Sequence, residues 1–296
     1  MKTFRALFLT ILLPILACPQ GHLPEMLATE AQFLSAAQQE IKSAFLEYLA
    51  PDSILFRPQA VSGREYWTGR PDASIETLIR KTIYADIDAN GLLGYTTGNW
   101  RQFKKGKSES DAAYGQYVTI WEKRPDGKFR ASLDIVTTHE MAYFKETDEV
   151  GRVDKSTDMN KRGWSPADAS MDFLRRSMSS ARLGGAYRKY AAKDIRLLVE
   201  RQVPILGKKR VVVEMNRYVS TDFPANVRLL QSTDMAYTWN PCKFTNNSDE
   251  GFESGNCLQI WKLRNKKWWI VLGVYAKFAN DRPPVLRTPL QRAGEN

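Results

Sequence analysis

An aspartate interrupts the apolar run Leu133-Asp134-Ile135-Val136, where an ionisable group serves either chemistry or a fixed ion pair. Facing a cavity, its carboxyl would have its pKa raised by burial and become a general base for taking a proton beside a carbonyl. The bland alternative is an aspartate turned to solvent, or bonded to Arg57 or Arg130 as part of the scaffold. His139 closes the same run with Glu140 beside it. Its type suits a base at a pocket rim, and its place at a strand end suits an ordinary surface residue. One histidine with one carboxylate falls short of the three or four ligands a metal site takes, so no metal is expected. Arg57, Glu65, Trp67, Tyr84, Tyr95 and Tyr117 offer the aromatic walls and few polar tips of a small-molecule pocket. The same residues serve equally well as core and strand-pair residues. The chain has no Gly-rich phosphate loop, no Cys-x-x-Cys pair and no Gly-x-Ser-x-Gly elbow. Nucleotide, redox-metal and serine-hydrolase chemistry recede, and no cofactor is expected.

The elements that must position these residues occur twice. Ala44-Phe45, Tyr48, Asp52, Leu55 and Gly63-Arg64 return as Ala186-Tyr187, Tyr190, Asp194, Leu197 and Gly207-Lys208, about 140 residues further along. Thr119-Ile120-Trp121 returns as Gln259-Ile260-Trp261, and Lys128 to Leu133 as Lys267 to Leu272. The chemistry-bearing positions are not repeated, since Gly273 stands at the place of Asp134 and Phe278 at that of His139. Two copies of one domain in 296 residues give each an ordinary size.

Within the first copy, apolar residues at Leu27, Phe33, Leu34, Ala37, Ile41, Phe45 and Leu49 have helical spacing over Glu25–Ala50, as two helices or one bent one. Asn90-Gly91 and Asp126-Gly127 each separate two strand-like runs and mark hairpins. Glu140 to Lys161 is polar and reads as linker. In the second copy Ser165-Pro166-Ala167-Asp168 opens a helix with an N-cap, a proline at the first position and an acid in the first turn. Gly184-Gly185 is expected to break it before Ala186–Ala191. Ile195–Val199, Val211–Val219, Val227–Gln231, Met235–Trp239, Cys257–Leu263 and Trp268–Phe278 read as strands.

Lys2 and Arg5 precede the apolar run Ala6–Ala17, a pattern that suits a secretory signal over positions 1–17 better than a membrane span. Cys18 follows directly and is a candidate for lipidation, with ordinary cleavage nearby as the alternative. The expected location is the periplasm or cell envelope, with membrane attachment only through such an N-terminal lipid. Of the three cysteines, Cys242 and Cys257 end two expected strands around the polar loop Lys243–Asn256, and hairpin pairing would join them in a disulfide. The formal charge is +10. Its lysines and arginines lie in short clusters scattered over loops (Arg101 to Lys107, Lys208 to Arg210, Lys266-Lys267), so nucleic acid is not the expected partner. An anionic envelope component fits the charge better.

Leu55-Phe56-Arg57-Pro58, Gly63-Arg64-Glu65-Tyr66-Trp67, Gly94-Tyr95-Thr96-Thr97-Gly98 and Tyr117-Val118-Thr119-Ile120-Trp121 together resemble the SnoaL-like domains of the nuclear transport factor 2 superfamily. The second copy is similar but more loosely, with Met235-Ala236-Tyr237-Thr238-Trp239 in place of the glycine-flanked signature. The resemblance implies an α+β fold: two tandem cone-shaped domains, over 26–140 and 164–280, each with N-terminal helices packed on a curved antiparallel sheet. A linker over 141–163 joins them and a tail follows over 281–296. It also implies a cavity between sheet and helices. No catalytic motif of the superfamily's isomerases or cyclases carries across residue by residue, and fold alone does not supply function. The expectation is therefore an exported protein that binds a small organic ligand or an envelope component. One rival is a cofactor-independent isomerase, cyclase or dehydratase with Asp134 as base, helped by Tyr84 or Tyr117. The other is a structural envelope protein whose two copies pack through their sheet faces. An enzyme predicts a buried, polar-tipped pocket in the first domain and a filled one in the second, whereas a binding module predicts no strongly perturbed carboxylate in either.

Overall fold

The computed structural model describes residues 21–57, 59–71, 76–106, 112–140, 150–152, 165–179, 182–221, 228–246 and 249–278. The expected signal over 1–17, Cys18, most of the linker and the tail lie outside the described residues.

In the first domain, α1 (His22–Gln39) buries one stripe, Met26, Glu30, Phe33 and Ala37, at the three- and four-residue spacing of a helix face. The chain turns extended at Glu40, whose carboxylate accepts from the Lys42 and Ser43 N–H groups at 2.9 and 2.5 Å and so caps α2 (Ile41–Tyr48). The strands are β1 (Leu49–Phe56), β2 (Ala60–Ser62), β3 (Glu76–Ile87), β4 (Leu93–Lys104), β5 (Ala113–Lys123), β6 (Phe129–His139) and β7 (Gly151–Arg152), with α3 (Gly63–Thr68) after β2. They form one sheet in the order β2-β1-β6-β5-β4-β3-β7. The two hairpin signals join β3 to β4 and β5 to β6, with Gly91 and Gly127 at φ 70° and 78°.

The second domain repeats the plan. Ser165 and Asp168 form a capping box at the start of α4 (Pro166–Ser177). Then come α5 (Arg182–Tyr190), β8 (Ala191–Val199), β9 (Ile205–Leu206), α6 (Lys208–Met215), β10 (Tyr218–Ser220), β11 (Arg228–Gln231), β12 (Met235–Asn246), β13 (Asp249–Arg264) and β14 (Lys267–Lys277). The sheet runs β10-β12-β13-β14-β8-β9, with β11 also on β12. Each domain is thus helices on a curved sheet, the expected α+β cone. The sheets are mixed rather than antiparallel throughout, because β1 runs parallel to β6, and β8 to β14.

Three local expectations are corrected. Val211–Val219 is not a strand: most of it lies in α6, which occupies the place α3 holds in the first copy and buries Val211, Val212 and Met215. The β-branched run suggests a strand locally, but packing against the core decides. Gly184-Gly185 does not break the helix, since α5 runs through both. A Cβ on Gly184 would stand 1.9 Å from the Asn216 side chain, so the glycine is there for close approach to the end of α6. Lys243–Asn256 is largely not a loop, because β12 and β13 continue through most of it as a long hairpin. Cys242 and Cys257 are disulfide-bonded across that hairpin, with Cα atoms 5.9 Å apart. Replacing both by serine is expected to cost about 2 to 3 kcal/mol, read as a lower denaturant midpoint for the unreduced parent's variant. The parent treated with reductant should fall to the same midpoint.

Residues alternate across each sheet, so one face meets the helices and the other is left apolar. The two free faces pack on each other. Leu93, Tyr95, Val118, Ile120, Leu133 and Ile135 from the first sheet share one core with Leu198, Met235, Leu258, Ile260, Leu272 and Val274 from the second. Trp239 meets Phe56 edge to face at 5.4 Å. Trp121, Trp261 and Trp268 instead face into their own cones. At one end of the interface Lys262 is buried. Its ammonium donates to the Ile87 carbonyl at 2.8 Å and pairs with Asp234 at 3.3 Å and Asp86 at 3.5 Å. Asp234 also accepts from the Ala89 N–H at 2.8 Å. At the other end Glu200 accepts from the backbone N–H and hydroxyl of Thr138.

Candidate functional site

The first cone opens between α2, α3 and the sheet. The opening is a pocket of ≈ 90 Å³, room for about half a dozen waters. Phe45, Tyr66, Trp67 and Trp100 give it aromatic walls, and Arg57, Arg70 and Arg80 give it charge. Trp67 stacks on Phe45 with ring centres 4.5 Å apart, which fixes both. Arg70 lies over the Tyr66 and Trp67 rings at 5.2 and 5.7 Å and donates to the Tyr66 hydroxyl at 2.5 Å. Arg57 also lies over the Tyr66 ring, at 5.6 Å. Arg80 is buried, 4.6 Å over the Tyr117 ring.

Behind Arg80 sits Asp134. Two guanidinium nitrogens of Arg80 donate to its two oxygens at 2.7 and 3.0 Å, Thr119 donates at 2.8 Å, and Arg57 stands 3.9 Å away. Burial, the largest single influence, would raise the carboxyl, but the Arg80 charge and hydrogen bonds, the Arg57 charge and the Thr119 hydrogen bond together outweigh it and hold it below the ordinary aspartate value. The expected upward shift is thus corrected in direction; the alternative of an ion pair with Arg57 is met at 3.9 Å, but the closer partner is Arg80, a residue not singled out from the sequence. Asp134 does not line the pocket, and Arg57 and Arg80 stand between.

The carboxyl that burial does push up is Glu30 on α1. It accepts from Tyr117 Oη at 2.8 Å, Thr82 at 3.2 Å, Thr96 at 2.8 Å and Trp121 Nε1 at 2.8 Å. Burial raises it more than those donors and the Arg80 charge lower it. The same enclosure raises the Tyr117 hydroxyl well above its ordinary value, with the nearby Glu30 charge adding to burial. Glu30 does not line the pocket either, so it is a core carboxyl stabilised by four donors. Its position on the buried stripe of α1 is the sequence signal that could have found it. For Arg80 the signal is alternation along β3, which puts it on the face of Leu78.

Of the residues named from sequence, Arg57 and Trp67 line the pocket and Tyr117 lies in the core beside Arg80. Glu65 is exposed on α3, away from the pocket lining. Tyr84 and Tyr95 face the other domain. Tyr95 is fully buried there, and Tyr84, under Arg196 at 5.5 Å, has its hydroxyl pushed up to about 12 by burial and by Asp194 and Asp86. His139 is 8% exposed rather than a surface residue, with one ring nitrogen 3.0 Å from Gln116 Nε2 and the other 2.7 Å from the Glu140 carbonyl oxygen. Among the described residues no group of three or more His, Cys, Asp and Glu could hold a metal ion, and no helix is long and apolar enough to cross a membrane.

The second cone has the same walls and different contents. Trp121 and Thr96 have counterparts in Trp261 and Thr238, which keep the indole-to-hydroxyl bond at 3.0 Å. Glu30 is matched by Ser170, Tyr117 by Cys257 and Asp134 by Gly273. A Cβ on Gly273 would stand 2.9 Å from the Tyr187 hydroxyl, so Tyr187 occupies the space an aspartate would need. The void between α4, α5 and the second sheet is ≈ 20 Å³, about one water. A wider recess of ≈ 410 Å³ beside α6 is a surface groove outside the cone, lined by Val203, Lys209, Val213 and their neighbours.

No protein-family model matches the sequence, and no curated protein matches it. Among solved structures, the chain is similar to a protein of unknown function with a cystatin-like fold from Nostoc punctiforme at 15% identity, covering 41% of this chain and 98% of that one, with a TM-score of 0.32. It is similar to an NTF2-like protein of unknown function from Pseudomonas putida at 12% identity, covering 39% and 85%, with a TM-score of 0.32. A ketosteroid isomerase-like protein from Erwinia carotovora atroseptica gives 13% identity, 40% and 97% coverage, and a TM-score of 0.33. At these scores the likenesses add nothing to the architecture described above.

Proposed function

We propose that this chain is a small-molecule-binding protein whose working site is the pocket of the first domain, with the second domain as its permanent structural partner. The observation that carries this reading is an aromatic and arginine-lined pocket with neither Asp134 nor Glu30 in its lining; the asymmetry between the copies, which an enzyme predicts equally, sets both readings apart from a purely structural protein. One plan gives a pocket of ≈ 90 Å³ in the first cone and a void of ≈ 20 Å³ in the second. The residues that differ are those at the heart of the cone, where two filled cores would serve a purely structural protein as well. An acid–base enzyme built on Asp134 finds less support. Its carboxylate is held by Arg80 and shielded from the pocket, so it is both a weak base and out of reach. The Cys242–Cys257 bond supports a location outside the cytoplasm, in the periplasm or cell envelope.

The test is a ligand-observed NMR screen of small aromatic and aliphatic compounds, repeated on Val136→Phe, which fills the pocket from β6. The expected result is a set of hits that Val136→Phe weakens at least tenfold while circular dichroism and melting temperature stay near those of the parent. Hits that Val136→Phe leaves untouched, or no hits at all, would overturn the reading.

A further inference from the structure

We infer that the pocket of the first domain is built for a small organic anion, a carboxylate carried on a flat apolar body. This rests on the pocket being the working site.

The charge count favours one negative group. Three guanidiniums, Arg57, Arg70 and Arg80, line the pocket against Glu76 as the one carboxylate of the lining, while Asp134 and Glu30 lie behind Arg80 and offset part of its charge. Glu76 accepts from Gln102 Nε2 at 2.9 Å, which steadies it at the side. The lining itself therefore presents more positive than negative groups to a ligand, in a partly enclosed space where the interaction is far stronger than in open water.

The hydrogen-bond count points the same way. Arg80 Nε and Trp67 Nε1 are both buried and have no acceptor among the described residues. Both residues line the pocket. A buried donor without an acceptor is costly, so a ligand that settles against either of these lining residues is favoured when its polar group only accepts. A carboxylate is that group, and its planar pair of oxygens matches the fork of an arginine better than a hydroxyl or an amide does.

The walls supply the rest. Tyr66 and Trp67 are held by arginines over their faces, and Phe45 backs Trp67. These rings make the lining largely apolar, which suits an apolar body better than a sugar, whose many hydroxyls need many polar partners. A pocket of ≈ 90 Å³ suits one ring and its acid group rather than a fused four-ring skeleton.

The experiment is titration of the full chain with benzoate, benzamide and inorganic phosphate by isothermal calorimetry or saturation-transfer NMR at fixed ionic strength. Benzoate and benzamide have nearly the same shape and differ in charge. Benzoate is expected to bind at least tenfold more tightly than benzamide, to lose at least tenfold on Arg70→Gln, and to be lost on Val136→Phe. Arg70 is half-exposed, so Arg70→Gln should fold, and an unchanged melting temperature confirms that it has. Phosphate binding as tightly as benzoate would overturn the organic part and leave an inorganic anion site. Benzamide binding as tightly as benzoate would overturn the charge inference while the pocket stands. If neither binds but the broader screen yields Val136→Phe-sensitive hits, the inference falls alone. If that screen is also empty, the functional reading falls with it.

Discussion

Replacing Arg80 by leucine is expected to cost about 3 to 5 kcal/mol of stability, the usual loss when one partner of a buried ion pair is removed. The size follows from what is left behind. Asp134 is 1% exposed and would keep only the Thr119 hydroxyl and a guanidinium 3.9 Å away as partners. Glu30, already pushed up by burial, would lose the one positive charge that lowers it. Without the Arg80 charge both carboxyls would be pushed upward, which costs free energy wherever the unfolded chain keeps them ionised. The double variant Arg80→Leu/Asp134→Leu should recover most of the loss, because two apolar groups in place of a buried pair leave no charge stranded. Urea unfolding of the parent, both single variants and the double variant gives the coupling directly. A loss below about 1 kcal/mol for Arg80→Leu would mean that water reaches the pair and that the cone is not closed behind the pocket.

Between the domains, the expected result has the opposite sign: Asp86→Asn should stabilise the protein at pH 7, by about 1 to 3 kcal/mol. Lys262 faces two carboxylates, Asp86 and Asp234, so the buried cluster carries one negative charge too many. Burial, with Asp234 adding to it against the opposing Lys262 charge, raises Asp86 from 3.8 to about 6. A folded-state value above the unfolded one means that the folded protein holds the extra proton. The contribution to stability is therefore complete below pH 4 and is lost as pH rises through 6. The parent should show a downward slope in stability between about pH 4 and pH 6 that Asp86→Asn lacks. Glu30 is raised too and adds a slope of the same sign, whereas Asp134 is lowered and acts at more acid pH. The difference between parent and variant cancels both and isolates Asp86. Melting temperatures from pH 4 to 8 make the comparison. Parallel curves would show that the ion cluster is wet and that its charge imbalance is harmless.

Local signals in the sequence carried the architecture well. Asn90-Gly91 and Asp126-Gly127 mark turns because positive φ is a property of the residues themselves, and the Ser165 capping box needs only neighbours three apart. The three-valine stretch in α6 misleads for the same reason, since its local preference is real and its tertiary place overrides it. The site was only half legible. Arg57 and Trp67 declare a pocket by type, but Arg80 meets Asp134 across 54 residues and Glu30 meets Tyr117 across 87, distances over which no spacing rule speaks. Tyr84 went to the wrong face because of a bulge. Leu78, Arg80 and Thr82 alternate toward the cone, the register of β3 shifts between Thr82 and Tyr84, and Tyr84 then points to the other domain. Strand parity predicts a face only until the first extra residue.

The packing of one sheet face on the other has a consequence for synthesis. The bond from the Ala89 N–H to Asp234 spans 145 residues, so the first half must be made before its cover exists. At ordinary rates of translation the second half takes roughly seven to thirty seconds to follow. During that interval Val118, Ile120, Leu133 and Ile135 form an apolar sheet surface open to chaperones, to aggregation or to the same face of another nascent chain. Joining both copies in one polypeptide shortens that exposure. The proper cover arrives on the same chain at high local concentration, whatever the expression level.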